Sequence, residues 1–358
     1  MSNRSLEEFV EEVNGTSHLR IEYDYGDGFV RLRTSEAERR QAAQDIRSSE
    51  DILIELLRNA RDAHAAHIFV AVSKSGATRS ITVIDDGDGI PAAMHSLIFE
   101  PRVTSKLDTA HIDKWGMHGR GMALYSVAQN AREAKVVSSV PSAGSAIQVI
   151  SDTSVLSEKA DQSSFPTFIL NERGTVDVRG PKNLVRTACE FAIEERAACS
   201  VYIGSATEIL AAIYAVGAES MSAVDRLFCD NPDMLPFPKR LATANEPSTF
   251  AKMAGSMGLE LSERSARRIL DGTIDPAEPL LSRITVQDMA KPKGKRKAGV
   301  SSSQTRLKLS KNERAQLAED AKQAFAKIAE RYYLESEIEP TVKAGTDRIT
   351  ISIPIVRK

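Results

Sequence analysis

Apolar residues in the first 150 positions follow two periods, one typical of strands and one typical of helices. In HLRIEYDYGDGFVRLR they alternate on both sides of a Gly/Asp turn, which predicts a β-hairpin. From Ser49 they recur at helical spacing, and Ser48 or Ser49 can cap that helix. HIFVAVS, SITVID, AKVVSSV and SAIQVIS predict strands, and residues 122–130 predict a helix among them. We therefore predict an α/β sandwich, with helices on one face of a mixed sheet.

The rest of the chain has a different pattern. TVDVRG, NLVRTACEFAIEE, SVYIGS and TEILAAIYAVG predict β-α-β-α, either a second small domain or an extension of the first. An amphipathic helix is predicted over residues 310–334, and RITISIPIV predicts a strand after it. The expected organisation is an N-terminal domain over 1–160, an α/β region over 161–245, a helical region over 246–290, a basic linker over 291–305 and a C-terminal helix and strand over 306–358.

Composition and charge exclude several classes of protein. With 42% apolar residues, 27% charged residues and a formal net charge of −2, binding to nucleic acid would need a local basic patch. No apolar run approaches the roughly 18–20 residues of a membrane helix, and MSNRSLEEFVEEV is unlike a secretory signal. The three cysteines show no CxxC spacing, which predicts buried thiols rather than disulfides or a zinc site. We expect a cytoplasmic protein that does not bind membranes.

The predicted helix ELLRNARDA carries the first candidate chemistry. Glu55, Asn59 and Asp62 lie on one stripe, because residues three and four apart share a helix face. An acid and an amide at this spacing could share a metal ion and a water. The same pair is also typical of a solvated helix face, so both interpretations stay open.

The second motif is DDGDGIP, which begins at Asp85 where the strand ITVI ends. Gly87 and Gly89 allow a sharp turn and a close approach to a flat ligand. An ionised carboxylate only accepts hydrogen bonds, so Asp85 suits an exocyclic amino group such as that of adenine. Calcium would need a later glutamate that IPAAMH does not supply, and a plain hairpin turn is the structural alternative.

The third motif, GMHGRG from Gly116 to Gly121, leads directly into the predicted helix MALYSVAQ. Glycines before a helix N-terminus expose amides and the positive end of the helix dipole, which suits a phosphate. The order of the glycines differs from both the Walker and the dinucleotide patterns.

Taken in order, an ExxxNxxD helix, a strand ending in DxGxG and a GxxGxG segment before a helix resemble the GHKL superfamily of ATPases. That superfamily includes the DNA gyrase B subunit, the ninety-kilodalton heat-shock chaperones, MutL mismatch-repair proteins and sensor histidine kinases. DDGDGIP is similar to the gyrase version, and TSKLDTAHIDKWGMHGRGMALYSVA is similar to the MutL version. The resemblance covers about residues 45–150 and implies a Bergerat-type ATP-binding fold. Both glycine-rich segments then belong to one nucleotide site.

The resemblance also implies roles for single residues. Asp85 would bind the adenine amino group, directly and through a water that Ser145 would hold. Asn59 would complete the coordination of Mg²⁺, which otherwise binds phosphate oxygens and waters. Glu55 matches the general base of the hydrolytic members, which favours hydrolysis over phosphotransfer to protein. The other implied nucleotide-binding residues are Asp62, Gly87, Gly89, Ile90, Lys106, Gly116, Gly119, Arg120, Gly121 and Met122.

Two segments suggest DNA as a partner. KPKGKRK opens a basic stretch over residues 291–311, for which a solvated linker is the alternative. FAKMAGSMGLELSERSARRILDG has the pattern of a helix-turn-helix with arginines over residues 264–268, for which a plain helical hairpin is the alternative.

We therefore expect an Mg²⁺-dependent ATPase that works as a clamp. ATP would order the glycine-rich lid and close two protomers into a homodimer, and hydrolysis would reopen it, coupled to DNA or to a DNA-processing partner. One alternative is a chaperone-like or regulatory ATPase that remodels a protein partner. Another is a protein kinase of the histidine-kinase or anti-sigma type, which Glu55 and the lack of a phosphoacceptor hairpin disfavour.

Overall fold

The computed structural model describes residues 21–105, 111–113, 116–118, 121–170, 176–284, 286–288, 311–332, 340–344 and 349–354. Residues 1–290 form one compact unit and residues 291–358 form another. The sequence also predicts a short helix over residues 5–13. This segment, the basic linker over 291–305, and the residues Lys106, Gly119 and Arg120 lie outside the described residues.

The strands and helices predicted from apolar spacing are present among the described residues, together with several short elements that were not predicted. The strands are β1 (Ile21–Gly26), β2 (Phe29–Leu32), β3 (His67–Ser75), β4 (Thr78–Asp85), β5 (Val103–Thr104), β6 (His111–Asp113), β7 (Gly116–His118), β8 (Glu133–Val140), β9 (Gly144–Asp152), β10 (Thr167–Leu170), β11 (Val176–Arg179), β12 (Ser200–Gly204), β13 (Val286–Asp288), β14 (Thr341–Ala344) and β15 (Ile349–Ser352). The helices are α1 (Glu36–Asp45), α2 (Ser49–Asp62), α3 (Ala123–Asn130), α4 (Leu184–Glu194), α5 (Ala206–Glu219), α6 (Ala223–Leu227), α7 (Phe237–Ala242), α8 (Pro247–Ser256), α9 (Glu263–Leu270), α10 (Leu280–Arg283) and α11 (Lys311–Tyr332).

A five-stranded mixed sheet forms the centre of the first unit, with strand order β12-β3-β4-β9-β8. Strands β3, β4, β9 and β8 are antiparallel neighbours, whereas β12 pairs with β3 in parallel. Because side chains alternate across a strand, each strand of this sheet supplies apolar residues to both faces. The predicted mixed sheet with a helical layer is confirmed.

Helix α2 covers the first face of the sheet. The Ser48 hydroxyl accepts a hydrogen bond from the Asp51 amide and caps the helix, which begins where the sequence predicts. Its apolar residues are fully buried with those of α4 and the sheet. They include Ile52, Leu53, Leu56 and Leu57.

A second helical layer covers the opposite face, and the sequence did not predict it. Buried residues of α5, α7, α8 and α9 form a separate core with Phe69 and Tyr202, which point away from α2. Phe69 and Tyr202 stack with ring centroids 4.7 Å apart. The layer forms because β3 and β12 are apolar on both faces, so each face needs a cover.

Residues 161–245 do not form a separate second domain. Strand β12 extends the central sheet beside β3, and residues 1–290 are one compact unit. The β-α-β-α order that was predicted is correct, but its strand β12 and its helices complete the two layers of the first unit. The helical region over 246–290 also belongs to this first unit, because its helices pack into the same two layers.

Two three-stranded sheets and the two-stranded pair β6-β7 also belong to this unit. Strands β1 and β2 form the predicted hairpin, and β5 joins it to give the order β1-β2-β5. Asp27 and Gly28 at its turn have φ of 49° and 79°, as tight two-residue hairpin turns require. Strands β11, β10 and β13 form the other sheet.

The described part of the second unit contains helix α11 and the antiparallel pair β14-β15. Both the amphipathic helix over 310–334 and a strand within RITISIPIV were predicted there.

Candidate functional site

A cleft opens between α2, the adjoining ends of β4 and β9, and the start of α3. Its empty volume, open mouth included, is about 990 Å³. Residues of all three sequence motifs line this one cleft, as predicted. They include Asn59, Asp62, Asp85, Gly89, Ile90, Gly121 and Ser145.

Asp85 lies in the wall of the cleft and is only 3% exposed. Its Oδ2 accepts a hydrogen bond from the Ser145 hydroxyl at 2.6 Å, and its Oδ1 accepts one from the Gly87 amide at 2.9 Å. Ser145 is the direct cross-strand neighbour of Asp85 in the β4-β9 register, so its hydroxyl contacts the carboxylate itself. Burial raises the pKa of Asp85 to about 6, although both hydrogen bonds act in the opposite direction.

This pKa gives a testable pH dependence. The folded protein holds the Asp85 proton more tightly than the unfolded chain, so protonation adds stability as the pH falls from about 6 towards 3.8. A protonated carboxyl accepts an adenine amino group less well, so we expect affinity for ATP to fall over the same window. The expected loss approaches tenfold per pH unit below 6. Titrations of ATP from pH 8 to pH 5 measure this loss of affinity. An affinity that does not change between pH 7 and pH 5 would contradict the expected contact between Asp85 and an adenine amino group.

The DDGDG loop packs between the end of α2 and the turn that joins β8 to β9. The Asp88 amide donates to the Ala63 carbonyl at 2.8 Å, and the Ser142 amide donates to the Asp88 carbonyl at 2.6 Å. A Cβ on Gly87 would lie 2.3 Å from the Ala63 oxygen, and one on Gly89, whose φ is +71°, would lie 2.1 Å from a neighbouring carbonyl. Both glycines are therefore required by the packing of the loop.

Gly144 is a residue of the site that the sequence analysis missed. It has a φ of +96°, and a Cβ there would lie 1.9 Å from the Asp85 carbonyl oxygen. The backbone of β9 can approach Asp85 only because this side chain is absent. A lone glycine before SAIQV gave no sign of this contact.

We expect Gly144→Ala to destabilise the fold by at least about 2 kcal/mol, because it adds a backbone clash to an unfavourable φ. Gly76→Ala is the matched control, since Gly76 also has a positive φ of +59° but a Cβ added there would meet no atom within 4 Å. Its expected cost is about 1 kcal/mol. Denaturant unfolding measures both variants, and equal costs would show that the approach of β9 to Asp85 is not tight.

Helix α2 presents the predicted acid and amide on one face. The Asn59 side-chain nitrogen donates to the Glu55 carbonyl at 2.8 Å, which turns the amide oxygen away from the helix backbone. The Glu55 carboxylate, 18% exposed, accepts a hydrogen bond from Arg58 at 2.6 Å. Arg58 is buried, so this contact fixes the direction of the Glu55 side chain.

Asp62 both lines the cleft and joins two helices. It accepts a hydrogen bond from Arg61 at 2.9 Å, and Arg61 also donates to Glu195, just after α4, at 2.6 Å. The Asp62 side chain is 7% exposed. These contacts indicate that Asp62 helps to hold α2 against α4.

The third motif is described only in part. Gly116 lies in β7, which pairs with β6, a short pair of strands that the sequence did not predict. Gly121 has a φ of +68°, and Met122 occupies the N-cap of α3. The start of α3 thus lies at the cleft, which Gly121, Ala123 and Leu124 line.

Arg102 fixes the base of this segment, and the sequence gave no sign of it. Its amide donates to the Gly121 carbonyl at 2.8 Å, and its guanidinium forms an ion pair with Glu38 on α1. Arg102 is buried and has a φ of 60°, a conformation that is uncommon for any residue except glycine. Its contacts connect helix α1 to the glycine before α3.

The predicted arginine-bearing helix lies in the layer opposite the cleft. Helices α8 and α9 are joined through a turn at Gly258, which has a φ of +80°. Arg264, Arg267 and Arg268 are exposed, whereas Ala266 packs into the core. A helix, a turn and a second helix with exposed arginines are therefore present.

Metal clusters and membrane spans are both absent from the part of the chain that the structure describes. Within it, no three His, Cys, Asp or Glu side chains are grouped so that they could hold a metal ion. None of the described helices is both long and apolar enough to cross a bilayer.

Comparisons with known proteins agree with this geometry. Residues 44–154 match the family described as histidine kinase-, DNA gyrase B- and HSP90-like ATPase. Over 99 residues the chain is 38% identical to the DNA mismatch repair protein MutL of Staphylococcus aureus strain Newman, and equally to that of strains N315 and COL. The match covers 26% of this chain and 15% of each MutL protein. This region is therefore an ATP-binding domain of the GHKL ATPase superfamily with MutL-like motifs.

Proposed function

We propose that the cleft binds ATP with the adenine amino group against Asp85. The observation that carries the proposal is a buried carboxylate in the cleft wall, fixed by Ser145 and Gly87. Each carboxylate oxygen can accept two hydrogen bonds, so one such bond on each leaves capacity for the adenine N–H. Gly87 and Gly89 keep the loop backbone close beneath the base.

A magnesium ion fits the same site. Mg²⁺ prefers oxygen ligands and keeps several waters, so one protein oxygen beside the phosphates is sufficient. Asn59 lines the cleft and its amide oxygen points away from the helix, which suits this role. When bound, the ion would neutralise charge on the phosphate oxygens.

We further propose that Glu55 is the general base of ATP hydrolysis. It lies one turn before Asn59 on the same helix face, next to Leu56, which lines the cleft with Asn59, although Glu55 itself is not among the described residues that line the cleft. The carboxylate would take a proton from the attacking water while the bond between the γ-phosphorus and the bridging oxygen breaks and ADP leaves. Arg58 would keep the carboxylate in the required direction.

The coupled process we propose is an ATP-dependent clamp that acts on DNA or with a DNA-processing partner. ATP would order the segment before α3 and close two protomers, and hydrolysis would release them. The name of the MutL relatives as DNA mismatch repair proteins supports this proposal, as do the exposed arginines of α9. Exposed cations on one short helix suit contacts with DNA phosphates.

Phosphate release, measured with and without duplex DNA at two salt concentrations, tests the coupling. We expect DNA to stimulate hydrolysis at low salt, and the variant Arg264→Gln with Arg267→Gln and Arg268→Gln to lose that stimulation while it keeps its basal rate.

The control for this experiment replaces three exposed arginines elsewhere, Arg39, Arg40 and Arg132, by glutamine. This control removes the same charge and should respond to DNA like the wild type. A wild type that hydrolyses ATP without any response to DNA would contradict the DNA coupling and favour a protein-remodelling ATPase.

A further inference from the structure

An exposed apolar patch lies between α5 and α7, two helices of the layer opposite the cleft. Eight large apolar side chains are exposed among the described residues, and four of them fall within residues 224–234. They are Val224, Leu227, Phe228 and Met234, each more than 60% exposed, and are here called the 224–234 patch. Scattered apolar residues are normal on a surface, but a concentration of them marks a site of interaction.

The segment that carries the patch contributes nothing to the core. Neither helix α6 nor the 3-10 turn at Pro232–Met234 contains a buried residue. Val224, Leu227 and Phe228 are three and four residues apart, so they share one side of the short helix and its end. Their large side chains therefore have no packing function in the fold of this unit.

Both ends of the segment are nevertheless fixed. A Cβ on Gly217 would lie 1.9 Å from the Pro238 oxygen, so α5 and α7 are in close backbone contact. The buried Arg240 guanidinium donates to the carbonyls of Asp233 at 2.7 Å and Leu235 at 3.3 Å. A buried cation thus holds the exposed turn in place, and the patch is presented by a framework that is already formed.

The rim of the patch is acidic. Residues 219–235 contain the four exposed acids Glu219, Asp225, Asp230 and Asp233 and the single base Arg226, a formal charge of −4 + 1 = −3. This charge opposes nucleic acid and anionic lipid. It also opposes a second copy of the chain, because a two-fold contact would place one −3 rim against the other.

We propose that the 224–234 patch is the docking site of a partner protein that presents a basic amphipathic helix. Apolar side chains of that helix would cover Phe228 and Leu227, and its flanking lysines or arginines would face the acidic rim. The patch lies on the layer opposite the cleft, so a partner could bind without entering the nucleotide site. The inference does not depend on the proposed function of the cleft.

The test uses the full chain and three labelled model peptides of equal length. One is an amphipathic helix of leucine and lysine, one has the same leucine pattern with glutamate for lysine, and one has the leucine and lysine residues in scrambled order. Fluorescence anisotropy should detect binding of the first peptide only. Leu227→Ser with Phe228→Ser should weaken that binding by about tenfold or more. Glu219→Gln with Asp230→Asn should weaken it mainly at low salt.

Val155→Ser is the matched control, because Val155 is 86% exposed and lies outside the patch. It should bind the lysine peptide like the wild type. Equal binding of the scrambled or the glutamate peptide would overturn the proposal, as would no effect of the Leu227 and Phe228 changes. Self-association or vesicle binding that Phe228→Ser abolishes would assign the patch to a second copy or to a membrane and would overturn it as well.

Discussion

Glu55→Gln is expected to lower the rate of ATP hydrolysis by about 10²–10⁴-fold, the usual contribution of a general base. Glutamine keeps the size of the side chain and an oxygen that can accept the hydrogen bond from Arg58, so the helix should not change. What it loses is the capacity to take a proton from water. Affinity for ATP should therefore stay near that of the wild type, since the proposed adenine contact at Asp85 is untouched. Phosphate release at saturating ATP, together with a binding titration, separates the two effects.

Glu55→Asp is the informative companion, because it keeps an acid but withdraws the carboxylate by one methylene. An intermediate rate is expected for it. If Glu55→Gln hydrolyses ATP at the wild-type rate, the base is another group and α2 serves only to position Asn59. If Glu55→Gln loses ATP binding as well, the residue belongs to the binding surface or to the fold.

Asp85→Asn is expected to weaken ATP binding by about 100-fold, because it replaces a charge-assisted acceptor by a group that presents a donor. In the variant, the amide oxygen can accept from Gly87 and the amide nitrogen can donate to the Ser145 hydroxyl. The remaining N–H then faces the adenine amino group, which also donates. The fold should be retained, because both contacts to the protein are satisfied and a buried ionised group is removed.

The neighbouring acid provides the control for this prediction. Burial raises the pKa of Asp86, but hydrogen bonds from the His67 ring and amide outweigh it and hold that pKa below its ordinary value. Asp86 does not line the cleft within the described residues, so Asp86→Asn should keep its affinity for ATP. Equal losses in the two variants would show that the loop as a whole, rather than the Asp85 carboxylate, supports the site.

The sequence predicts where several cleft-lining residues lie because they are on elements with clear local patterns. Apolar spacing places Asn59 on a capped helix, and the end of an apolar strand places Asp85 where a chain must turn. The cross-strand position of Ser145 depends only on the register of two strands that the sequence identifies. In each case the periodicity of one element determines where the polar side chain points.

Residues whose importance depends on contacts distant in sequence could not be predicted in this way. Gly144 matters because the backbone of another strand approaches it, and Arg102 because its amide reaches Gly121 and its guanidinium reaches α1. Neither residue carries a local pattern that indicates such a partner. A positive φ at a non-glycine residue is a result of tertiary packing.

How the elements after residue 160 pack could not be predicted for a related reason. Strand β12 and helices α4 and α5 were predicted, but nothing local indicates that β12 pairs with β3, about 130 residues earlier. Strand pairing at that separation depends on which sheet edge is uncovered. The second helical layer follows from the same pairing, because β12 brings α5 and α7 to the opposite face.

The proposed function depends on recognition of adenine by the Asp85 carboxylate in this cleft. Calorimetric titration of ATP and of GTP into the wild-type protein tests it most directly. Guanine carries a carbonyl where adenine carries its amino group, and a carboxylate would face that oxygen without a hydrogen to share. We therefore expect the protein to bind ATP and to bind GTP at least about 100-fold more weakly. Equal affinities for the two nucleotides, or no binding of ATP at neutral pH, would contradict it.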